Sequence, residues 1–217
     1  MKLAGWLVTL GLVTGPTQVY NFDSSSLGKP PSGWIMTMTN NGPPAKWRIV
    51  KDGTAPSRPY VLEQASRAPY DSRFPLAILD KAPITDGVVS VMLKPVSGKA
   101  DEAGGLVWRY RGPNDYYLVR ANSAENNIAV YKVENGVRTP LPVKGKSPGT
   151  YAVKYRVPAG EWSTLKVDFR GRLFSIYVNH RRVLQVQDST FSNSGKVGLW
   201  TRAGSVTHFD DFRVGER

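Results

Sequence analysis

The chain has 217 residues, of which 29 are basic and 17 are acidic, giving a formal net charge of +12. It contains no cysteine, and this excludes disulfide bonds, thiolate metal sites and cysteine nucleophiles. Its 21 glycines and 16 prolines are typical of a protein built from short strands and turns, and they argue against a helical bundle.

The N-terminal residues predict a secretory signal peptide. Lys2 supplies a positive charge, residues 3–13 form an apolar run, and small residues follow at 15–17. A run of this length is too short to serve as a transmembrane anchor. We therefore expect residues 1–17 to be a signal peptide, residues 18–217 to form one domain, and the protein to be secreted or periplasmic. The alternative is that the apolar run is the first strand of the domain.

Short runs of alternating apolar and polar residues predict strands along the rest of the chain, with no helix longer than one turn. The first half gives strands at 19–22, 33–39, 47–51, 60–64, 76–79 and 86–94. The second half gives strands at 106–110, 116–122, 128–133, 137–143, 165–170, 173–178, 182–186, 195–201 and 209–214. Strands of even length at roughly ten-residue spacing predict an all-β sandwich or barrel.

Two tight turns support this prediction. Asn179-His180 and Glu134-Asn135-Gly136 each separate two predicted strands. Asn and Gly accept the positive φ that a two-residue hairpin loop needs, whereas His at the second position is a weaker choice. We therefore expect hairpins at both places.

Several segments resemble the concanavalin A-like (laminin-G-like) jelly-roll superfamily. They are the strand opening at Trp162, YVNHRRVL (177–184), GKVGLWT (195–201) and FDDFRV (209–214), with GGLVWRY (104–110), DYYLVRAN (115–122) and NNIAVYKVENGVR (126–138) upstream. The resemblance covers residues 19–214 and is nearest the bacterial 3-keto-disaccharide hydrolase-like and laminarinase-like domains. It implies a β-sandwich (jelly roll) of two antiparallel sheets, with a concave sheet face that binds sugar.

The carboxylate pattern of a retaining glucanase is missing. Laminarinase-like members carry E-x-D-x-x-E on one strand, and retaining hydrolysis needs two carboxyl groups about 5 Å apart. The six glutamates of this chain stand at 63, 102, 125, 134, 161 and 216, outside any such run. The two histidines, His180 and His208, lack the spacing of a zinc hydrolase, and His180 is expected to be exposed in its hairpin corner. Whether the chain is an enzyme stays open.

Two neighbouring strands carry most of the candidate binding residues. Arg109 and Arg120 interrupt apolar strands, and burying an arginine there without a partner costs several kcal/mol. We expect them to line a cleft, and the alternative is a structural pairing with Asp101 or Asp115. Arginine, tyrosine and asparagine side chains suit sugar hydroxyls and pyranose faces. The predicted glycan-binding residues are Arg109, Tyr116, Arg120, Asn122, Tyr131 and Trp200, and the alternative is that the aromatic rings belong to the core.

The two ends of the domain suggest a metal site. Jelly rolls bring their chain ends together, so Asp23 and Asp210 are expected on neighbouring strands. Many resembling lectin-type domains hold a structural calcium ion through carboxylate and carbonyl oxygens. Asp23 and Asp210 are therefore the predicted calcium ligands. The alternative is hydrogen bonding to turn backbone or pairing with basic residues.

Positive charge is concentrated between residues 138 and 182. The ten basic residues there are Arg138, Lys144, Lys146, Lys154, Arg156, Lys166, Arg170, Arg172, Arg181 and Arg182, against Glu161 and Asp168. This basic strip favours contact with an anionic polymer, and the alternative is a solvated face that aids solubility. Nucleic acid is disfavoured, because no recognition helix or nucleic-acid motif is visible.

Three functions follow from these observations. The first is a secreted carbohydrate-binding sandwich that recognises a poly- or oligosaccharide on its concave face. The second is a glycoside hydrolase or lyase acting on 3-keto sugars, which needs one base and an electrophilic helper rather than paired glutamates. The third is a structural envelope protein that binds anionic polymer. The missing carboxylate pair and the strands rich in arginine and aromatic residues favour the first.

Overall fold

The computed structural model describes residues 16–68, 72–81, 83–97 and 102–217, so residues 1–15 of the predicted signal peptide lie outside it. Its strands are β1 (Gln18–Tyr20), β2 (Trp34–Thr39), β3 (Trp47–Lys51), β4 (Tyr60–Gln64), β5 (Phe74–Leu79), β6 (Gly87–Ser97), β7 (Ala103–Gly112), β8 (Asp115–Asn122), β9 (Asn127–Glu134), β10 (Val137–Pro140), β11 (Ala152–Lys154), β12 (Ser163–Arg170), β13 (Leu173–Val178), β14 (Arg181–Gln187), β15 (Lys196–Thr201) and β16 (Val206–Glu216). No helix occurs within the described ranges. None of these residues therefore forms a helix able to cross a membrane.

The strands form two sheets. The first sheet has the order β14-β13-β12-β6-β16-β4-β3, with β1 paired to β16. The second has the order β10-β9-β8-β7-β15-β5-β2, with β11 paired to β9. Every pair of named strands is antiparallel. The predicted all-β jelly-roll sandwich of two antiparallel sheets is confirmed.

The main core lies between the sheets. Trp108 of the second sheet packs edge-on against Phe174 of the first, with ring centroids 5.2 Å apart, and stacks on Tyr117 at 5.6 Å. The strands of the first sheet supply alternate residues to this core, as Val167 and Phe169 do on β12. A second apolar cluster covers the opposite, outer face of the second sheet. Its buried members are Phe74, Leu76, Ile78, Ala103, Val107, Tyr116, Leu118, Ala129, Tyr131, Val133 and Trp200.

Both predicted hairpin turns are present. Asn179 and His180 have φ values of 46° and 66°, and they connect β13 to β14, with His180 exposed. Asn135 and Gly136 have φ values of 51° and 79°, and they connect β9 to β10. The Val137–Glu134 pairing at this turn sets the register of the whole β9–β10 hairpin.

One predicted strand is shorter than expected. The strand predicted at 137–143 ends at Pro140, because Pro140 and Pro142 have no N–H to give to the sheet. The short strand β11 then pairs with the first three residues of β9, 127–129. Three residues are too few for a periodic signal, so the sequence did not predict β11.

Two β-bulges reverse the alternation that the sequence predicted. The pairing of β7 with β8 shifts after Trp108, where Arg109 has a φ of 49°. Leu106 and Trp108 face the main core, but Tyr110 packs against the outer-face cluster. A regular strand would place Leu106, Trp108 and Tyr110 on one face, and the bulge moves Tyr110 to the other. A second bulge at Asp211, with a φ of 49°, follows the same geometry on β16.

A substitution at Gly105 tests how closely the strands of the second sheet are packed. A Cβ atom at Gly105 would lie 2.0 Å from the carbonyl oxygen of Val119, so the backbone would have to move. We expect Gly105→Ala to lower the free energy of unfolding by about 1–3 kcal/mol, as overpacking does. Gly112→Ala, on the same strand but in open space, is the control. Urea denaturation of both variants measures the difference, and equal midpoints would contradict the tight packing.

Candidate binding face of the second sheet

Arg109 does not lie on the outer face of the second sheet. Its guanidinium donates to the carbonyls of Phe191 at 2.8 Å and Gly171 at 2.7 Å, and to Asp86 at 3.1 Å. It also stacks over Phe174 of the first sheet at 5.5 Å. With 1% of its surface exposed, Arg109 ties the ends of the two sheets together. The prediction that it lines a glycan groove is therefore corrected, and the physical reason is the bulge that turns its side chain inward.

The other five predicted residues lie on the outer face of the second sheet. Tyr116, Arg120 and Asn122 alternate along β8, Tyr131 lies on β9 and Trp200 on β15. All five are buried, and the most exposed of them, Tyr131, shows 5% of its surface. They therefore form a layer beneath the molecular surface rather than an open groove.

The centre of this layer is a stack of cations and rings. The Tyr131 ring lies 5.5 Å from the guanidinium carbon of Arg120 and 4.7 Å from that of Arg138. Arg138 also lies 4.9 Å from the Phe74 ring and 5.9 Å from the Trp200 ring. We call these five residues the arginine–aromatic stack. Such contacts contribute roughly 0.5–2 kcal/mol each, more where the pair is desolvated.

Arg138 and Phe74 were missed as site residues by the sequence prediction. Arg138 was counted with the basic strip, and Phe74 precedes the strand predicted at 76–79. The hairpin register did contain the signal for Arg138. A two-residue loop at Asn135-Gly136 pairs Arg138 with Val133, which puts Arg138 on the same face as Tyr131.

Hydrogen bonds fix Arg120 at one end of the stack. Its Nη2 donates to Glu125 Oε2 and to Asn127 Oδ1, each at 2.8 Å. Burial raises the pKa of Glu125, but the hydrogen bond from Asn127 and the charge of Arg120 outweigh it and hold that pKa below its ordinary value. The partner of Arg120 is thus Glu125, not Asp115, while Asp101 lies outside the described residues. Asn122 accepts the Glu125 N–H at 3.1 Å and so shapes the turn that carries this carboxylate.

An open pocket of about 400 Å³ adjoins the other end of the stack. Phe74 and Arg138 belong to both the stack and the pocket. The remaining lining residues are Asn40, Ser72, Asn135, Gly136 and Val137. The Asn40 amide donates to the carbonyls of Ser72 at 2.8 Å and Gly136 at 3.2 Å, which holds the two sides of the rim together. The pocket thus offers amides, a hydroxyl and a guanidinium in one place, with the buried Phe74 ring at its base.

Asp23 and Asp210 both hold the loop that precedes β4. The β1–β16 pairing confirms that the chain ends are neighbours. Asp23 accepts the Tyr60 N–H at 3.2 Å, whereas Asp210 accepts the N–H groups of Ser57 at 2.9 Å and Asp211 at 2.7 Å. Both carboxylates therefore make the hydrogen bonds to backbone that were the alternative to calcium binding. No set of three metal-binding side chains is found within the described ranges either.

A serine motif occurs in the loop between β10 and β11. The run GKSPG at 145–149 matches the G-x-S-x-G letters of the serine-hydrolase elbow. That elbow joins a strand to a helix, but Ser147 lies in an exposed turn, where its carbonyl accepts the Thr150 N–H at 3.1 Å. The match is therefore a turn sequence, and it carries no hydrolase chemistry.

Solved structures share this architecture. The carbohydrate-binding module CBM66 from Bacillus subtilis matches with a TM-score of 0.63 and 20% identity, covering 83% of this chain and 93% of that one. The β-glucanase of Bacillus licheniformis matches with a TM-score of 0.59 and 13% identity over 94% and 99%. Domain 4 of AbnA, an extracellular arabinanase from Geobacillus stearothermophilus solved with arabinotriose, matches with a TM-score of 0.54 and 14% identity over 92% and 93%.

The chain has the concanavalin A-like jelly-roll fold. At these identities the likeness concerns the fold alone. Comparison of the sequence with protein-family models and with curated proteins gave no match.

The buried carboxyl of Asp210 predicts a pH-dependent stability. Burial raises its pKa to about 6, although Ser57 and Asp211 donate hydrogen bonds to it. The native state therefore binds the proton more tightly than the unfolded chain. The resulting stabilisation is present below pH 3.8 and is lost as the pH rises through about 6.

We expect the wild-type free energy of unfolding, relative to Asp210→Asn, to fall by roughly 2 kcal/mol across this interval. Urea denaturation at several pH values measures it. Glu161→Gln, which removes an exposed carboxylate, is the control for the loss of one charge. A constant difference between wild type and Asp210→Asn would contradict the raised pKa.

Proposed function

We propose that this protein is a secreted carbohydrate-binding module whose ligand site is the pocket beside the arginine–aromatic stack. The observation that carries the proposal is Arg138, whose guanidinium is packed against three rings and also lines the open pocket. The likeness of the fold to a carbohydrate-binding module and to an arabinanase domain supports the same class of ligand.

The chemistry of the pocket suits a sugar. Asn40 and Asn135 present amides, and Arg138 presents donors whose direction the stack fixes. The Phe74 ring is buried beneath the Arg138 guanidinium, so it supports that guanidinium at the base of the pocket. The buried residues Tyr131 and Trp200 support Arg138 from below, so their contribution is to hold it in place. A neutral oligosaccharide fits this mixture better than an anion, because the rim is mostly amide and hydroxyl.

A binding role accounts for the carboxylates better than hydrolysis does. Glu125, at the far end of the stack, has a lowered pKa and serves as the ionic partner of Arg120. A retaining glycosidase needs a second carboxyl group about 5 Å away that stays protonated to act as an acid. The action on 3-keto sugars remains the second candidate, and its catalytic residues stay unassigned. Incubation with a 3-keto-disaccharide and detection of the released sugar tests it.

Secretion completes the proposal. The predicted signal peptide at residues 1–17 and a single domain at 18–217 fit a protein that meets polysaccharide outside the cytoplasm. N-terminal sequencing of the exported protein tests both, and the expected new N-terminus is near residue 18.

Arg138→Met tests the pocket directly. Methionine keeps a long apolar side chain against the rings but removes the hydrogen-bond donors. We expect the dissociation constant for a bound neutral polysaccharide to rise roughly tenfold or more, because hydrogen bonds from a charged donor contribute about 1.5–3 kcal/mol. Affinity electrophoresis in gels containing β-glucan, arabinan, galactan or xylan measures it.

Arg156→Met removes an exposed arginine outside the stack and the pocket and is the matched control. Thermal unfolding of both variants checks that the fold is kept. If wild type binds none of the four polysaccharides, or if Arg138→Met binds as tightly as the control, the pocket is not the ligand site.

A further inference from the structure

We propose that the outer face of the first sheet carries a second binding site, for an acidic polysaccharide. The site is a row of residues that crosses five neighbouring strands. Its members, in order, are Arg213, Ser90, Lys166, Tyr177 and Arg182, and we call it the basic row. It lies on the opposite side of the sandwich from the arginine–aromatic stack, so it does not depend on the pocket.

The register of the sheet creates the row. Lys166 on β12 pairs with Ser90 on β6 at one side and with Tyr177 on β13 at the other. Arg213 pairs with Ser90, and Arg182 pairs with Tyr177. Neighbouring strands lie about 4.8 Å apart, so the three cations stand on every second strand at intervals of about 10 Å.

The row has little acidic charge to neutralise it. None of the ion pairs formed by the described residues includes Lys166 or Arg182. The nearest acid on β12, Asp168, is already paired with Arg170 at 3.3 Å and Arg217 at 3.0 Å.

The surroundings of the row add further positive charge. Arg213 shares Asp211 at 3.2 Å but keeps 48% of its side chain exposed. The exposed residue Lys144 lies beside the outer edge of β14, where its N–H donates to the Gln185 carbonyl at 2.8 Å.

At the other end of the same face, by contrast, the charged side chains form ion pairs with one another. There His208 lies between Asp52 at 2.8 Å and Glu63 at 3.1 Å, and Lys94 also pairs with Asp52. Arg48 in turn pairs with Glu63 at 2.8 Å. These charges satisfy one another, whereas the charges of the basic row face solvent. A row of three cations with one acidic partner, Asp211, is a surface that attracts a polyanion.

The chemistry of the row favours a polysaccharide over other polyanions. Lys166 Nζ lies 4.1 Å from the Tyr177 ring, so one ring and one ammonium stand side by side in the middle of the row. Ser175 and Gln185 add a hydroxyl and an amide next to it, joined at 2.7 Å. Single-stranded nucleic acid binds more tightly where its bases stack on successive rings, and binding to an anionic membrane is strengthened by apolar residues that insert. The row offers neither, but it suits carboxylate or sulfate groups repeated along a glycan.

The double variant Lys166→Gln/Arg182→Gln tests the row in the full-length mature protein. Affinity electrophoresis in gels containing alginate or polygalacturonate measures binding at low salt and again at high salt. We expect wild type to be retarded, the retardation to fall with salt, and the dissociation constant of the double variant to rise roughly tenfold. The control is Lys29→Gln/Lys51→Gln, which removes the same net charge from exposed positions outside the row.

Each other outcome overturns the proposal. Equal losses in the two double variants would mean that only net charge matters, and no retardation of wild type would mean that no site exists. Stronger binding to polyuridylic acid, or to vesicles containing phosphatidylglycerol, that depends on the same two residues would assign the row to nucleic acid or membrane. Arg138→Met should leave alginate binding unchanged, so this test and that of the pocket fail independently.

Discussion

The central strands of the second sheet are buried on both faces, and the polar side chains on them adapt to that constraint. All six residues of β5 are buried, as are most residues of β7, β8 and β15. A strand in this position has no solvent face on which to place a polar side chain. Each polar group must therefore find a partner inside the protein, since an unpaired buried charge costs several kcal/mol.

Arginines meet this requirement by reaching loops. Arg73 donates to the Pro43 carbonyl at 2.6 Å and to Ser66 at 3.0 Å, and burial lowers the pKa of its guanidinium. Arg109 reaches two carbonyls and Asp86, whereas Arg120 reaches Glu125. Three buried arginines thus fix loops at three edges of the sheet. The long guanidinium suits this role because it carries several donors on a stem that packs against apolar residues.

The alternation of residues predicted most of the fold, because strands with one face in solvent obey it. On β12, Leu165, Val167 and Phe169 face the core while Lys166 and Asp168 face out, as their order in the sequence requires. The turns at residues 135–136 and 179–180 could also be predicted from the sequence, since positive φ favours Asn and Gly. The predicted architecture follows from these two regularities.

Alternation failed at Arg109 because a bulge adds one residue and reverses every face beyond it. The residue types around Arg109 do not indicate the bulge, so the sequence predicted the wrong face of the sheet for its side chain. At Asp211 a signal does exist. Phe209 and Phe212 are three residues apart and both face the core, a spacing that a regular strand cannot produce. The burial of Tyr116 and Trp200 could not be predicted from the sequence either, because the residues that cover them come from segments distant along the chain.

The pocket rim is held in place before any ligand arrives, and this bears on how a small site could bind a sugar. Asn40 joins two segments of the rim through hydrogen bonds. The rim is also closely packed there, because a Cβ atom at Gly136 would lie 2.6 Å from the side-chain oxygen of Asn40. Arg138 is fixed by the rings beneath it. Ordering a long side chain on binding costs about 0.5–1.5 kcal/mol, and a side chain already ordered avoids that cost. A shallow site with few contacts gains more from such order than a deep cleft would, because it has less contact energy to offset the loss of freedom.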